Sequence, residues 1–366
     1  MEIENLVVEL QTLGARIEVP VDNKGRRGGA GPTDDKAFMF GGMTMMVPTL
    51  GNFAACSPYA VVPDGDAFAL AKDGQKLLPV QFPRRPKFYD LKTADGIPYN
   101  KIAVLHGADV LATTVVQNCL RWNSDAERCH FCGIGISLKN NATIAAKTPA
   151  QLAEVAEAAV RLDGVKHFVM TTGTINYSDK GALYSAKCAR AVRAVVDLPI
   201  QVQFEPPEDL DVLWEVKAAG VDAVGIHLEV FDQAVRERVT PGKAKISIDY
   251  YFETFKKAVE IFGENQVSSY IIVGLGESPE SILAGCKRLI DIGVYPFVVP
   301  LRPILGTEMQ DATPPDASVM APIYREVAAM MAARGLNWRN SKAGCTRCGA
   351  CSALPSFQAP IPLSVA

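Results

Sequence analysis

The middle of the chain alternates between short runs of consecutive apolar residues and longer segments in which apolar positions recur every three or four residues. Runs of the first kind are typical of strands covered on both faces, and segments of the second kind of amphipathic helices. The pattern predicts strands at 111–117, 167–171, 200–204, 223–228, 267–273 and 295–301, and helices at 149–164, 182–196, 210–219, 250–262, 280–292 and 318–334.

Strand and helix follow each other about six times in a row. Alternation at this spacing predicts right-handed crossovers and a parallel sheet. A closed barrel of this kind has eight units, so fewer units predict an open or partial barrel. We therefore expect an α/β fold with a partial (β/α)6 barrel, whose reactive groups lie at the carboxyl ends of the strands.

The first hundred residues have a different pattern, with frequent Gly and Pro and poor helical periodicity. We expect one or two strands between Val7 and Val19. The glycine-rich stretch 26–32 is not followed by Gly-Lys-Ser/Thr, so it predicts a turn or loop and not a phosphate cradle. The expected organisation is an N-terminal extension of strands and loops over 1–110, the barrel over 111–310, and a C-terminal helix and cysteine-rich tail over 311–366.

The composition of the 366 residues is typical of a globular protein, with 48% hydrophobic and 21% charged residues. A formal net charge of −3 offers no basic surface for nucleic acid or an anionic membrane. The sequence begins without a secretory signal and contains no apolar run of about 18 residues. We expect a cytoplasmic protein, in which clustered Cys indicate metal binding more often than disulfides.

Cysteine is the unusual component, with nine Cys against four His. Six of them form two triplets, one after the first barrel strand and one near the C-terminus: Cys119, Cys129 and Cys132, and Cys345, Cys348 and Cys351. The other three are isolated, and Cys188 and Cys286 lie within predicted helices, where a buried thiol is expected.

Three thiolates suit an iron–sulfur cluster with one iron left open, whereas structural zinc takes four ligands. A four-thiolate zinc site formed by Cys129, Cys132, Cys345 and Cys348 is the alternative, and it leaves one Cys of each triplet unused. The C-terminal triplet has the Cys-x-x-Cys-x-x-Cys spacing of ferredoxin-type sites and predicts a second 4Fe–4S cluster. Otherwise it is a flexible tail with metal-prone thiols, and the Pro-rich stretch 352–366 is expected to be irregular.

The first triplet resembles the cluster loop of the radical S-adenosylmethionine (radical SAM) enzymes. Cys129-His130-Phe131-Cys132 follows the first parallel strand, and in that superfamily an aromatic residue commonly precedes the last Cys. The resemblance implies that Cys119, Cys129 and Cys132 hold a 4Fe–4S cluster. Nine residues separate Cys119 from Cys129, where most members have three.

Three further strand ends are similar to superfamily motifs. Thr171–Thr174 occupies the place of a Gly-Gly-Glu motif that binds the methionine amine, but it lacks the carboxylate, so hydroxyl and backbone oxygens would accept those hydrogens. Glu229 resembles a polar residue that meets the ribose or methionine portion. Ile272–Glu277 is similar to Gly-x-Ile-x-Gly-x-x-Glu, with Tyr270 in place of the first Gly. The resemblance thus implies contacts to S-adenosylmethionine from Phe131, Thr171, Thr172, Gly173, Thr174, Glu229, Ile272 and Gly274.

The resemblance extends over about 111–305 and continues at the sixth strand. Pro300-Leu301-Arg302-Pro303 is similar to the corresponding segment of lipoyl and biotin synthases. The cluster loop and the tail, Gly344 to Cys351, also resemble a radical SAM family found in bacterial gene clusters that encode a nitrilase.

The resemblance implies an enzyme that reductively cleaves S-adenosylmethionine and abstracts a hydrogen from a small molecule, with flavodoxin or ferredoxin as one-electron donor. The second cluster would relay electrons, bind substrate or donate sulfur, as in lipoyl synthase. Candidate substrate contacts at strand ends are Glu205, His227 and Arg302. Each also has a structural alternative: Glu205 closes a turn, His227 is a core histidine, and Arg302 forms a salt bridge.

Two other classes of function stay open on the residues alone. Two Cys triplets and the missing carboxylate at Thr171–Thr174 are compatible with a non-catalytic iron–sulfur electron carrier or scaffold. A zinc-stabilised barrel enzyme is the third hypothesis.

Overall fold

The computed structural model describes residues 2–21, 25 and 35–358. The predicted glycine-rich turn at 26–32 lies outside the described residues, as does the end of the Pro-rich C-terminal segment, 359–366. None of the helices in the described ranges is both long enough and apolar enough to cross a membrane.

The strands, in chain order, are β1 Arg16–Ile17, β2 Asp35–Phe40, β3 Met43–Pro48, β4 Tyr59–Asp64, β5 Ala67–Lys72, β6 Gln75–Val80, β7 Val104–His106, β8 Val110–Thr114, β9 His167–Thr171, β10 Ile200–Gln203, β11 Ala223–Gly225, β12 Val267–Val273 and β13 Tyr295–Pro300. The α-helices are α1 Ile3–Leu13, α2 Asn52–Ala55, α3 Ile136–Lys139, α4 Pro149–Asp163, α5 Ala182–Arg193, α6 Val212–Ala218, α7 Gln233–Val239, α8 Pro241–Ala244, α9 Ile248–Phe262, α10 Pro279–Asp291, α11 Ala317–Arg334, α12 Gly344–Cys348 and α13 Leu354–Gln358. Short 3-10 helices lie at Lys87–Asp90, Tyr99–Lys101 and Trp338–Asn340.

The main sheet has seven strands in the order β13-β12-β11-β10-β9-β8-β7. Strands β8 to β13 pair in parallel with their neighbours, and β7 is antiparallel to β8 at one edge. The edge strands β13 and β7 are not neighbours in this order, so the curled sheet stays open on one side. The predicted α/β fold with a partial (β/α)6 barrel is confirmed.

Helix α4 shows how local sequence sets the element boundaries in this region. The Thr148 hydroxyl accepts the Gln151 N–H, and the Gln151 side chain accepts the Thr148 N–H, which forms a capping box. Pro149 occupies the first turn, and Gly164 ends the helix in the left-handed conformation. The predicted helix 149–164 is therefore confirmed.

The prediction of strands between Val7 and Val19 is wrong for most of that segment. Residues Ile3–Leu13 form α1, and only Arg16–Ile17 form a strand. Apolar residues recur at Ile3, Leu6, Val7 and Leu10, a helical spacing, and all four are buried. The rest of the extension is β-rich, with the sheet β1-β4-β5-β6 and the hairpin β2-β3.

The C-terminal tail spans the open side of the half-barrel. Helix α12 contacts β9, β10 and β13. The Ser352 hydroxyl donates to the Val298 carbonyl of β13 over 2.6 Å, and Cys351 lies against His106 of β7. The Met46 N–H of β3 donates to the Ala350 carbonyl. The tail thus links both edge strands and brings its cysteines against the barrel interior.

Candidate active site

The first Cys triplet opens onto a cavity of about 200 Å³ at the carboxyl ends of the central strands. Cys119, Cys129 and Cys132 line this cavity together with Thr171–Thr174 and Glu229. Cys119 therefore faces the same space as the other two thiols, although the long gap separates it from them in sequence.

Burial makes two of these thiols, Cys129 and Cys132, weaker acids. It raises the pKa of Cys132 to about 11 and that of Cys129 well above its ordinary value, while the Lys243 charge acts in the opposite direction at both. These thiols are neutral at neutral pH, so a bound metal centre has to displace their protons.

Among residues 2–21, 25 and 35–358, no three His, Cys, Asp or Glu side chains lie close enough together to hold one metal ion. A four-iron cluster is larger than an ion and places each thiolate on a different iron. Three thiols that line one cavity without forming a single-ion site therefore fit a cluster better than the alternative of a four-thiolate zinc site.

The long loop between Cys119 and Cys129 is fastened to the barrel by a buried ion pair. The Arg121 guanidinium donates to both Glu205 oxygens, with 2.8 Å from Nε to Oε1 and 2.7 Å from Nη2 to Oε2. The Thr174 hydroxyl donates to the same carboxylate. Burial opposes the Glu205 charge, but the bonds from Arg121 lower the pKa of this carboxyl below its ordinary value. Glu205, a predicted substrate contact, thus anchors the cluster loop.

Gly173 allows the second strand to touch the backbone of the cluster loop. A Cβ at this position would lie 2.2 Å from the Asn118 carbonyl oxygen and 2.9 Å from the Cys119 Cβ. The Leu120 N–H donates to the Thr174 carbonyl over 2.8 Å in the same contact. Gly173 therefore sets the position of Cys119 through close approach.

The two residues between Cys129 and Cys132 point in different directions. His130 turns away from the thiols, with Nε2 at 3.0 Å from Glu308 Oε2. Phe131 packs in an apolar cluster with Leu275 and Leu301 and lines the cavity. His130 therefore does not line the cavity beside the thiols, whereas the Phe131 ring does.

Glu229 and Lys243 form a buried ion pair in the cavity wall. The Lys243 ammonium lies 2.6 Å from Glu229 Oε1 and 3.2 Å from the His227 carbonyl. Glu229 has a φ of 64°, a strained value for a residue with a side chain. The Arg236 side chain donates to the Lys243 carbonyl and holds the loop that carries the ammonium. Because burial favours the neutral form, the pKa of Glu229 is raised despite this partner.

Lys243 was not among the predicted site residues. It lies in α8, after the segment that follows β11, and not directly at a strand end. The Lys243 charge reaches Cys129, Cys132, Glu205 and His227. The sequence around Lys243, Pro-Gly-Lys, is an ordinary start of a helix and does not predict a functional site.

His227 faces the cavity as a neutral ring. Its Nδ1 accepts the Tyr270 N–H over 3.2 Å, so the proton is on Nε2. Burial first, and the Lys243 charge second, lower the pKa of His227 to about 3. Nε2 is buried and has no hydrogen-bond partner among the described residues. It therefore presents an N–H donor to whatever occupies this space.

A second cavity of about 320 Å³ adjoins the first and extends into the barrel. Both cavities are lined by Phe131, Cys132, Thr171, His227 and Glu229. Most of the remaining wall of the second cavity is apolar, and it ends against two thiols of the C-terminal triplet, Cys345 and Cys351. The two triplets thus face one continuous interior.

The other predicted site residues differ in their surroundings. Ile272 lines the second cavity. Gly274, with a φ of 106°, packs against Leu301 and Pro315 instead. Arg302 also lines the second cavity, but it forms an ion pair with the buried Asp35 of β2. Its geometry therefore favours the structural alternative over a free substrate contact.

Residues 126–289 match a family described as the radical SAM superfamily. The match begins after Cys119, so the placement of that residue rests on the geometry of the cavity. Bacteriochlorophyllide c C-7(1)-hydroxylase of Chlorobaculum limnaeum is 30% identical over 134 residues, which are 36% of this chain and 33% of the relative. The chain therefore matches about a third of the length of this curated relative.

Several solved structures, two of them described as radical SAM enzymes, superpose on part of the chain. Methylornithine synthase has a TM-score of 0.48 at 16% identity, over 62% of each chain. A radical SAM methyltransferase from Sphaerobacter thermophilus has a TM-score of 0.46 at 14% identity, over 76% of this chain and 75% of its own. Coproporphyrinogen III oxidase from Escherichia coli has a TM-score of 0.41 at 20% identity, over 62% and 52%.

Proposed function

We propose that this chain, which belongs to the radical SAM superfamily, holds a 4Fe–4S cluster on Cys119, Cys129 and Cys132, cleaves S-adenosylmethionine reductively and abstracts a hydrogen atom from a small molecule. The observation that carries the proposal is the meeting of these three thiols at one cavity at the carboxyl ends of the strands. Membership of the superfamily favours this enzyme over the electron carrier and the zinc-stabilised barrel.

The cluster and S-adenosylmethionine supply one-electron chemistry that removes a hydrogen from an unreactive carbon. The chain's own residues bind and orient. We assign the methionine amine to oxygens of Thr171, Thr172 and Thr174 beside Gly173. The Thr174 hydroxyl donates its proton to the Glu205 carboxylate, which leaves the Thr174 oxygen free to accept a hydrogen bond.

The Lys243–Glu229 pair provides both signs of charge to the same ligand. A carboxylate fits the Lys243 ammonium, and an ammonium or hydroxyl fits the Glu229 oxygen that has no partner among the described residues. Phe131 and Ile272 supply apolar contact in the adjoining cavity, and Gly274 shapes the turn after β12. The apolar wall excludes water, which protects reactive species from side reactions.

We further propose that Cys345, Cys348 and Cys351 hold a second 4Fe–4S cluster. Cys345 and Cys351 line the same cavity as Cys132, so a cluster there would face the substrate and not the protein surface. This position favours a direct action on the substrate, by binding it or by donating sulfur, over the relay of electrons. The reaction named for the hydroxylase relative, which modifies a carbon position, belongs to the same broad class.

The proposed organisation keeps the N-terminal extension over 1–110, the barrel over 111–310 and the tail over 311–366. Radical SAM enzymes act on small molecules and take electrons from external donors. For this chain we propose flavodoxin or ferredoxin as the donor, a cytoplasmic location, and no nucleic-acid or membrane partner. The net charge of −3 is in keeping with that assignment.

Anaerobic reconstitution with iron and sulfide, followed by reduction with S-adenosylmethionine present, tests the proposal. We expect 5′-deoxyadenosine from the wild-type chain and none from Cys129→Ala or Cys132→Ala. Cys56→Ser is the matched control, because that exposed thiol lies outside both triplets. Absence of 5′-deoxyadenosine from the reduced wild-type protein, or its formation by the Cys132→Ala variant, would refute the proposal.

A further inference from the structure

The C-terminal thiols are surrounded by polar side chains that project from the barrel strands. Gln203 Nε2 of β10 donates to the Cys345 sulfur over 3.1 Å. The Tyr270 side chain of β12 lies beside the same sulfur. On the edge strand β7, His106 Nε2 lies 3.2 Å from the Cys351 sulfur. Three separate strands therefore direct a polar group at two of the three thiols.

These groups are held in place by their own neighbours. Gln201 Oε1 accepts both the Gln203 amide N–H and the Cys345 backbone N–H, which fixes the Gln203 amide with its donor end toward the thiol. The Tyr270 ring packs between His227 and Phe297, each with its ring centroid 4.7 Å away. The donors are consequently positioned before any ligand binds.

The backbone of β7 also closes on the tail. The Cys348 sulfur lies 3.3 Å from the position that a Cβ on Gly107 would occupy, next to His106 in the chain. Cys348 and Cys351 thus meet the same turn between β7 and β8. His106 is 6% exposed and pairs with Val110 in the strand ladder, so its ring stays inside the barrel.

An apolar interior opposes the charge that a ligated thiolate carries. Burial raises the pKa of Cys348 to about 12 and also raises that of Cys345. N–H and O–H donors to sulfur compensate for part of this cost, since a hydrogen bond gains strength where water is excluded. Other charged side chains of this cavity, Glu229 and Arg302, form ion pairs elsewhere, so the placement of three polar groups at the thiols calls for a ligand-related role.

We propose that His106, Gln203 and Tyr270 form a donor shell that holds the sulfur ligands of the C-terminal cluster and raises its reduction potential. This inference rests on the second cluster of the proposed function. It also accounts for a departure from the superfamily pattern, because Tyr270 stands where the β12 motif has Gly. The three are positioning residues that act through the thiolates.

The physical basis is the extra negative charge of the reduced cluster. When an external donor adds one electron, donors to the ligand sulfurs stabilise the reduced form more than the oxidised form. Removal of a donor therefore makes the midpoint potential more negative.

The test uses the full chain with Cys129→Ala and Cys132→Ala, so that only the C-terminal cluster is formed on reconstitution with iron and sulfide. His106→Phe, Gln203→Leu and Tyr270→Phe are added singly, and the midpoint potential is followed by EPR. We expect a more negative potential in each, with unchanged iron and sulfide per chain. Tyr295→Phe is the matched control, because that buried hydroxyl meets Gln358 and not a thiol, and its potential should not move.

Unchanged potentials in all three variants would overturn the inference and leave the proposed function intact. If the background chain binds no cluster at all, the second cluster of the proposed function fails and the inference with it. Where His106→Phe loses the cluster outright, His106→Gln keeps a side-chain N–H. Recovery of cluster and potential by His106→Gln supports the donor role, and failure to recover contradicts it.

Discussion

The two cysteine triplets face one interior but are held by opposite kinds of interaction. The loop of the first triplet is fastened by charge, through the buried pair of Arg121 and Glu205. The tail is fastened mostly by neutral hydrogen bonds, such as those from Gly344 to His167 and from Ser352 to Val298, with one charged donor, the Arg302 guanidinium, 3.5 Å from the Cys351 carbonyl. The first triplet thus has two buried ion pairs around it, Arg121–Glu205 and Lys243–Glu229, and the second has mostly neutral donors.

The largest expected difference between the two regions is in S-adenosylmethionine cleavage. Cys129→Ala should abolish 5′-deoxyadenosine formation, because the first cluster loses a ligand. Cys345→Ala should retain it, since the tail lies on the far side of the second cavity. The measurement is 5′-deoxyadenosine per chain after anaerobic reduction. Equal loss in both variants would break the proposed division of roles.

Breaking the loop anchor should cost far more stability than removing a tail donor. Arg121→Gln leaves the buried Glu205 charge without its partner, a change that typically costs about 3–5 kcal/mol of unfolding free energy. Gln203→Leu removes one neutral hydrogen bond, worth about 1 kcal/mol. Urea denaturation of the metal-free, reduced chain measures both. The double variant Arg121→Gln/Glu205→Gln should recover part of the loss, and similar costs for the two single variants would contradict the comparison.

Acid should loosen the tail before it loosens the cluster loop. His167 accepts the Gly344 N–H through Nδ1, and burial first, then the Arg347 charge, lowers the pKa of His167 from 6.5 to about 4. Below pH 6.5 the His167 ring takes up a proton in the unfolded chain but stays neutral in the folded chain. The stability that the neutral ring contributes is therefore present above pH 6.5 and is lost as the pH falls toward 4. The difference is about 3 kcal/mol at most.

Hydrogen exchange in 344–354 measures this effect in the metal-free chain. Protection of the tail, corrected for the intrinsic pH dependence of exchange, should fall between pH 7 and pH 5. The loop around Arg121 should keep its protection there, because Glu205 loses its charge only below its ordinary range near 4.5. His167→Gln keeps an acceptor without titrating and should remove the pH dependence. An unchanged slope in that variant would rule out His167 as the cause.

A smaller loss of stability, similar at the two positions, is expected when Gly173 or Gly344 is replaced by Ala. An Ala Cβ at Gly173 would meet the Asn118 backbone, and one at Gly344 would meet the Gln201 side chain at 2.0 Å. Overpacking of this kind costs about 1–3 kcal/mol. Gly173→Ala should lower iron bound by the first triplet, and Gly344→Ala iron bound by the second. Gly164→Ala, which has a positive φ but no atom within 4 Å of the new Cβ, separates backbone strain from the clash.

The barrel could be predicted because each strand and helix carries its own periodic signal and capping residues, as Thr148 and Gly164 show. The helix in the extension could not be predicted in the same way. Helix α1 has only 11 residues, and its β-branched residues favour strands, so they masked the helical spacing of its apolar positions. The spacing of the cysteines and the aromatic Phe131 predict Cys119, Cys129 and Cys132 as cluster ligands, which stays a prediction. The partners that fix them come from distant positions, so no local pattern indicated them.

The substrate candidates show the same limit. Glu205, His227 and Arg302 do lie near strand ends, but which of them is free depends on partners such as Arg121 and Asp35. When two charged residues far apart in the chain form a pair, the sequence around neither of them shows a pattern that predicts it. Two of the three keep a buried donor without a partner in the described chain: His227 at Nε2, and Arg302 at Nε beside its ion pair.

Iron and sulfide content of the reconstituted chain tests the central claim that the two triplets hold two separate clusters. The account predicts about eight iron atoms per wild-type chain. It predicts about four after replacement of Cys345, Cys348 and Cys351 by Ala, and the same after replacement of Cys119, Cys129 and Cys132. About four iron atoms in the wild-type chain, unchanged when the C-terminal triplet is removed, would contradict it.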